Sequence, residues 1–327
     1  MPIRSSATQR RNMLLGLLAA ATCGLPVAHA AEFGQTPVKL VVPFAPAGAT
    51  DLMARTIAPR LSEKFGTQFV VVNTAGAAGT IGAASVANAE PDGNTLLLYH
   101  IAMVTTHHVQ KNMPFDPLKS FTPIGMLAEG SNVISVNPNL PVRTLAELVE
   151  YAKNNPGKVN FGSSGVGGSD HLGGELMQMV TQTKLTHVPY RGGGPATAAV
   201  VAGEIEMNAG TVAQVLPMIK AGRLRPLAVM QPERSAALPD VPSASEAGFP
   251  ALDHKTWFGL WGPAKMPPEL VVRINAALRE VLARDDVRQA LANVGVDSKS
   301  STPEEFDAYV RAQHARWDKV LAGRFVQ

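Results

Sequence analysis

The sequence predicts an α/β protein folded as two lobes around a cleft. Two observations carry this. Short apolar strands alternate with helical stretches in two successive series, and extended segments at residues 121–136 and 256–262 separate and close those series. The length agrees, because 327 residues suffice for two domains of roughly 150 residues, each with its own core. A single large sheet with one irregular strand is the competing arrangement, and pattern alone leaves it open.

The first series begins with an apolar strand at Val38–Val42, ended by Pro43. A helix follows over Asp51–Phe65, with Met53, Ile57 and Leu61 spaced by four so that they share one face. Gln68–Val72 reads as a strand, Thr80–Asn88 as a helix of small residues and Thr95–Tyr99 as a third strand. This β-α-β-α-β order argues for a parallel sheet covered by helices. Phe121–Val136 is a long extended stretch broken at Gly130-Ser131, where a hinge could absorb changes in backbone angle.

The second series opens with the capping box Thr144-Leu145-Ala146-Glu147 and a helix to about Lys153. Strands are predicted at Asn160-Phe161, Thr186–Val188, Glu204–Ala209 and Leu227–Met230, and helices at Ser169–Thr181, Pro195–Ala202 and Val212–Ala221. Residues 231–254 are rich in loops, and Thr256–Gly262 is an apolar strand in which Trp257, Phe258 and Trp261 read as core. Two long helices end the chain, one over Pro268–Ala292 and one opened by the capping box at Thr302-Pro303-Glu304-Glu305. The lobes are then residues 31–128 plus 255–327, and residues 129–254.

Residues 1–30 have the form of a secretory signal: Arg4, Arg10 and Arg11, an apolar run over Met13–Ala21, and the cleavage pattern Ala28-His29-Ala30. The run is shorter than the about 20 residues a bilayer span needs, so the expectation is an exported, soluble protein cleaved near Ala30. Arg10-Arg11 matches a twin-arginine signal loosely, and Ala-Ala-Thr ahead of Cys23 fits a lipidation site poorly. The whole chain has 29 basic and 26 acidic residues, and the leader carries three arginines and no acid, so the remainder is neutral at 26 each. A nucleic-acid partner therefore has no basic excess to support it. One cysteine excludes a disulfide framework and any CxxC site.

Four glycine-rich segments follow strands and precede helices: Pro43–Asp51, Asn73–Thr80, Gly162–Ser169 and Pro189–Pro195. In parallel sheets such loops gather at the carboxyl edge, where helix N-termini present free N–H groups and partial positive charge. Glycine lets an anion approach the backbone without a Cβ in the way. Each alone is a tight turn; four placed alike make a cleft suited to a small molecule with carboxylates. Familiar catalytic patterns fail. Gly76–Gly82 is not a dinucleotide fingerprint, Gly162-Ser163-Ser164-Gly165 is not a nucleophile elbow, and no phosphate loop or zinc-protease motif occurs. His107 and His108 are read as pointing to opposite sides of a strand, a surface pair with no carboxylate at ligand spacing. Glu204 and Glu206 are read as an exposed strand face. His171 either donates to an anion or caps its helix; Arg191 either grips a carboxylate or pins its own loop.

Val42–Asp51, Ala77–Gly82, Ser163–Ser169, His187–Pro195 and Leu238–Pro242, in this order, resemble the Bug family, the periplasmic solute receptors of tripartite tricarboxylate transporters. The likeness extends to Ile219–Leu224 and the terminal helices. It implies a two-lobed periplasmic-binding-protein, or Venus-flytrap, fold with two crossing hinge strands. It implies no enzymatic activity, no cofactor and no metal, a monomer in the periplasm, a small organic (di)carboxylate as ligand and permease subunits as partners. Carried over by position, the first-lobe contacts are Phe44, Ala47, Gly48, Thr50 and Asp51, with Ala77, Ala78 and Gly79. The second-lobe contacts are Ser163, Gly165, Gly168 and Ser169, with Arg191, Gly192 and Gly193, and a wall near Asn208 to Thr211. Ala47 stands where the family usually has glycine, Asp170 where a small or neutral residue is commoner, and Asn208 where an apolar one is usual. Alternatives from other classes are a sensor docking to a signalling partner and a small-molecule enzyme using His171 or Asp51.

Overall fold

The computed structural model describes residues 33–321 apart from 109, 111 and 294. The leader, its cleavage signal and Cys23 lie outside those residues. In chain order the first part comprises β1 (Val38–Val42), α1 (Ala49–Phe65), β2 (Phe69–Asn73), α2 (Thr80–Ala87), β3 (Thr95–His100) and the short α3 (Ala102–Thr105). Strand β4 (Phe121–Val136) leads into α4 (Leu145–Asn154), β5 (Asn160–Ser163), α5 (Ser169–Thr181), β6 (Thr186–Pro189), α6 (Gly193–Ala202), β7 (Met207–Thr211), α7 (Val212–Lys220) and β8 (Arg225–Val229). Strand β9 (Lys255–Pro263), α8 (Pro268–Ala283), α9 (Asp285–Asn293), β10 (Val296–Ser298) and α10 (Pro303–Leu321) complete it.

The strands run β2-β1-β3-β9-β4-β7-β5-β6, with β8 and β10 also on β4. Within each half the sheet is parallel: β1 lies between β2 and β3, and β5 between β6 and β7. Strand β4 joins the halves. It pairs antiparallel with β9 from Phe121 to Ser131, then with β7 and β8 from Asn132 and Val133 onward. The expected break at Gly130-Ser131 is therefore a change of partner within an unbroken strand. At Gly130 a Cβ would come 2.8 Å from the Val296 side chain, so glycine is what lets β10 close against β4 there.

The strands form one ten-stranded sheet, and the buried side chains gather in three clusters along it. One core gathers β1, β3, β9, the first half of β4 and the faces of α1, α8 and α10, with Leu40, Met53, Ile57, Leu61, Trp257, Trp261 and Phe306 fully buried. Each such side chain contributes about 1.5–3 kcal/mol relative to exposure. Two further clusters, around Phe161, Met177 and Leu227 and around Val200, Val215 and Val229, fill the second lobe.

Three expectations need correction. The helix placed over Pro268–Ala292 is two helices: Arg284 is extended (ψ 135°), and Asp285 and Asp286 open a new first turn whose dipole favours their charge. Glu204 and Glu206 precede β7 rather than lying in it, and Glu206 is half-buried, accepting from the Asn160 backbone and side chain at 2.7 and 2.9 Å. His107 and His108 sit on a 3₁₀ turn, Thr106–His108, so their rings share a side. Thr302 and Glu305 form a reciprocal capping box, while at Thr144 the hydroxyl accepts from Glu147 N and the Glu147 carboxylate reaches back to Arg143 N.

Candidate functional site

Three long helices begin at glycines with no side-chain cap. Gly48 precedes α1, Gly168 precedes α5 and Gly192 precedes α6, so in each case the first-turn amides are left to other partners. All three ends meet one small, nearly closed cavity between the lobes. Phe44, Gly48, Ala49, Thr50, His100 and Phe258 line it from one side, and Ser164, Ser169, Asp170, Gly193, Thr211 and Gln214 from the other. A broader groove of about 600 Å³ lies elsewhere and shares no lining residue with it. That groove collects no helix N-terminus from the glycine loops, so the interlobe cavity is the stronger candidate.

The lobes touch directly around this cavity. Ala45 N donates to Arg191 O at 3.1 Å, and Thr105 Oγ1 to Gly167 O at 2.6 Å. Glycines permit the approach: a Cβ on Gly165 would lie 2.9 Å from Ala78 Cα, on Gly192 3.0 Å from Ala45 N and on Gly194 2.7 Å from Pro46 O.

Asp51 shapes the first loop. Its carboxylate accepts from Ala47 N (3.0 Å), Asn73 Nδ2 (2.9 Å) and Arg55 Nε (2.9 Å). Burial acts to raise its pKa, but the hydrogen bonds from Arg55, Ala47 and Asn73 hold it below the usual carboxylate value. The loop keeps Ala47 at φ 66°, the left-handed region that costs a residue with a Cβ about 1 kcal/mol or more.

In the second lobe, buried Asp170 accepts from Ser164 N and Ser164 Oγ, both at 2.7 Å, and from His171 N at 3.1 Å. Burial pushes its carboxyl up to about 6 despite these bonds. His171 Nδ1 accepts from Gly167 N at 3.0 Å, so this ring fixes the loop and does not line the cavity. The His187 ring lies against it, tilted by 36°, and meets Ser163 Oγ at 2.6 Å. Opposite, His100 stacks on Phe44 (centroids 4.6 Å apart), and its Nδ1 accepts from Ala102 N at 3.1 Å. Burial lowers its pKa to about 3, so the ring is neutral and carries its proton on Nε2.

The sequence-selected residues divide by position. Phe44, Gly48, Thr50, Ser169 and Gly193 line the cavity. Ala47, Asp51, Ser163, Gly165, Gly168 and Gly192 build its loops, while Ala77, Ala78 and Gly79 form a 3₁₀ turn against Gly165. The Arg191 side chain is exposed, and its carbonyl makes the interlobe bond. Asn208 is buried in β7, bonded to Ser135 at 2.6 Å and away from the cavity. Motif reading passed over His100 and Gln214 and assigned Phe258 to the core. His100 ends a parallel strand, and Gln214 sits in the first turn after β7; their position at a carboxyl edge was the available signal.

The family model for the tripartite tricarboxylate transporter family receptor matches residues 53–324. The chain belongs to that family. It is a periplasmic solute-binding receptor with the two-lobed α/β fold of solved family members. It is 35% identical over 314 residues to the UPF0065 protein in the tcbD-tcbE intergenic region of Pseudomonas sp. (strain P51), covering 95% of this chain and 94% of that one. Among solved receptors, Rpa4515 of R. palustris with adipate has TM-score 0.86 and 34% identity, covering 88% of this chain and 97% of that one. MatC from Rhodopseudomonas palustris with bound malate has TM-score 0.85 and 30% identity, covering 88% and 100%.

Proposed function

We propose that this receptor captures a small organic acid in the interlobe cavity and presents the closed form to the membrane permease of a tripartite tricarboxylate transporter. The observation that carries the reading is the convergence of three uncapped helix N-termini, from both lobes, on one cavity. The adipate and malate held by related receptors are carboxylates of this class. The moving bodies are residues 31–128 plus 255–327 and residues 129–254, and β4 and β9 carry the hinge. Closure follows from binding because only a ligand touching both lobes favours the closed state. The chain is exported and cleaved near Ala30, and the solute is carried without chemical change.

The lining combines two chemical characters. Gly48, Ala49 and Thr50 at α1 and Gly193 at α6 offer main-chain donors to a carboxylate, and His100 Nε2–H adds a neutral donor. Asp170 gives the α5 side an acid that is charged above about pH 6. The ligand end facing it is accordingly a hydrogen-bond donor, such as a hydroxyl, rather than a second carboxylate. A thermal-shift panel of monocarboxylates, hydroxy acids and dicarboxylates at pH 7.5 tests this. At least one hydroxy acid is expected to raise the melting temperature by several degrees, since a ligand selective for the native state stabilises it. No shift across the panel would overturn the carboxylate reading. Shifts confined to unsubstituted dicarboxylates would overturn the role given to Asp170.

A further inference from the structure

Away from the cleft, three imidazoles surround one carboxylate. Asp318, on α10, has His107 Nε2 3.1 Å from Oδ1 and His314 Nδ1 3.0 Å from Oδ2. His314 and Asp318 are one helical turn apart on the same face, and the His107 and His314 rings lie parallel with centroids 4.6 Å apart. The ligating atoms of His107, His314 and Asp318 all fall within 4.8 Å of one another. His108 Nε2 is 2.8 Å from the same Oδ1, yet it is buried and makes no hydrogen bond. All three rings are mostly covered, and a shallow basin lined by His107, His314, Met113 and Phe115 opens the cluster to solvent.

We propose that His107, His314 and Asp318 bind one borderline divalent transition-metal ion of the zinc class, with His108 supporting the carboxylate. Two nitrogens and a carboxylate oxygen are the donor set such ions take, and a fourth position left to water completes a tetrahedron. Ligands about 2.0–2.1 Å from zinc lie about 3.4 Å from each other. The 3.1 Å from His107 to Oδ1 and the 3.0 Å from His314 to Oδ2 lie near that value, and the ligand set as a whole, within 4.8 Å, has to contract around the ion. The ion would also balance the charge of the Asp318 carboxylate. It would tie the C-terminal helix to the turn directly after Thr105, the residue that donates across the cleft to Gly167.

The test is calorimetric titration of the tag-free mature protein with ZnCl₂, in a buffer without organic acids. One equivalent is expected to bind with micromolar affinity and to raise the melting temperature. Affinity should fall at least tenfold in His314→Ala and in Asp318→Asn. Both positions are partly exposed, so both variants should keep the metal-free melting temperature within about 2 °C. Cobalt(II) in place of zinc should give visible absorption bands of tetrahedral nitrogen and oxygen coordination, lost in both variants. Absence of saturable binding below millimolar zinc, or binding that survives in both variants, would overturn the proposal and leave the cluster an ordinary ion-pair network.

Discussion

Replacing Asp170 by asparagine isolates the cost of a buried carboxylate at the cavity wall. Asp170 is 2% exposed, and its pKa is pushed from 3.8 up to about 6 by burial. The folded chain therefore holds this proton more tightly than the unfolded one. The resulting stabilisation is complete below pH 3.8 and is lost as pH rises through about 6. The interval corresponds to about 3 kcal/mol, at about 1.4 kcal/mol per pH unit. The asparagine side chain would not titrate; its amide oxygen in place of Oδ2 can still accept from Ser164 N, and its NH2 in place of Oδ1 can donate to Ser164 Oγ. The quantity to measure is the stability of D170N minus that of wild type, from urea unfolding at intervals between pH 4 and 8. It should rise by about 2 kcal/mol across that range, most of it between pH 4 and 6 and steepest near pH 5. Subtraction removes the histidines, which titrate alike in both proteins. A difference that stays flat with pH would refute the reasoning, because it would mean that hydrogen bonds from Ser164 and His171 fully offset desolvation.

Two further outcomes follow from the same structure. Ala47→Gly relieves a left-handed alanine and should stabilise the protein by about 1 kcal/mol or less after the added unfolded-state freedom is counted; scanning calorimetry showing a lower melting temperature would contradict this. Burial lowers the pKa of His100 and His171 to about 3 and of His187 and His254 to about 4. Their contribution is present above the ordinary value of 6.5 and is lost as pH falls toward 4. Asp170→Asn, freed of the opposing carboxyl, should therefore lose stability steadily over that interval, and a profile rising toward pH 4 would contradict it.

The sequence was most legible where local chemistry sets the boundary. Ser169–Thr181 and Phe121–Val136 are found as read, because a glycine turn opens the helix and apolar stretches on both sides of Gly130-Ser131 make the strand. The four glycine loops were visible because the close approach of two backbones excludes a Cβ. Gln214 was not, since the turn from β7 into α7 is capped by Thr211 and contains no glycine to mark it. Phe258 was assigned to the core from its alternation with Trp257, and it is buried; that it also faces the cavity depends on the register of β9 against β3. The break at Arg284 was hidden by continuous apolar spacing across it. The partner of His107 and His108 lies 211 residues from His107, beyond any spacing rule.

The central claim is that a solute is held by main-chain groups of both lobes brought into contact. Gly194 tests it with the least disturbance. It lies in the first turn of α6 at ordinary helical φ, where alanine favours the helix, yet its Cβ would meet Pro46 O of the other lobe at 2.7 Å. The measurement is calorimetric affinity of G194A and wild type for the carboxylate that gives the largest thermal shift. The variant should bind at least tenfold more weakly, about 1.4 kcal/mol, with its ligand-free melting temperature unchanged or higher. Equal affinity would contradict capture by closure at this cleft.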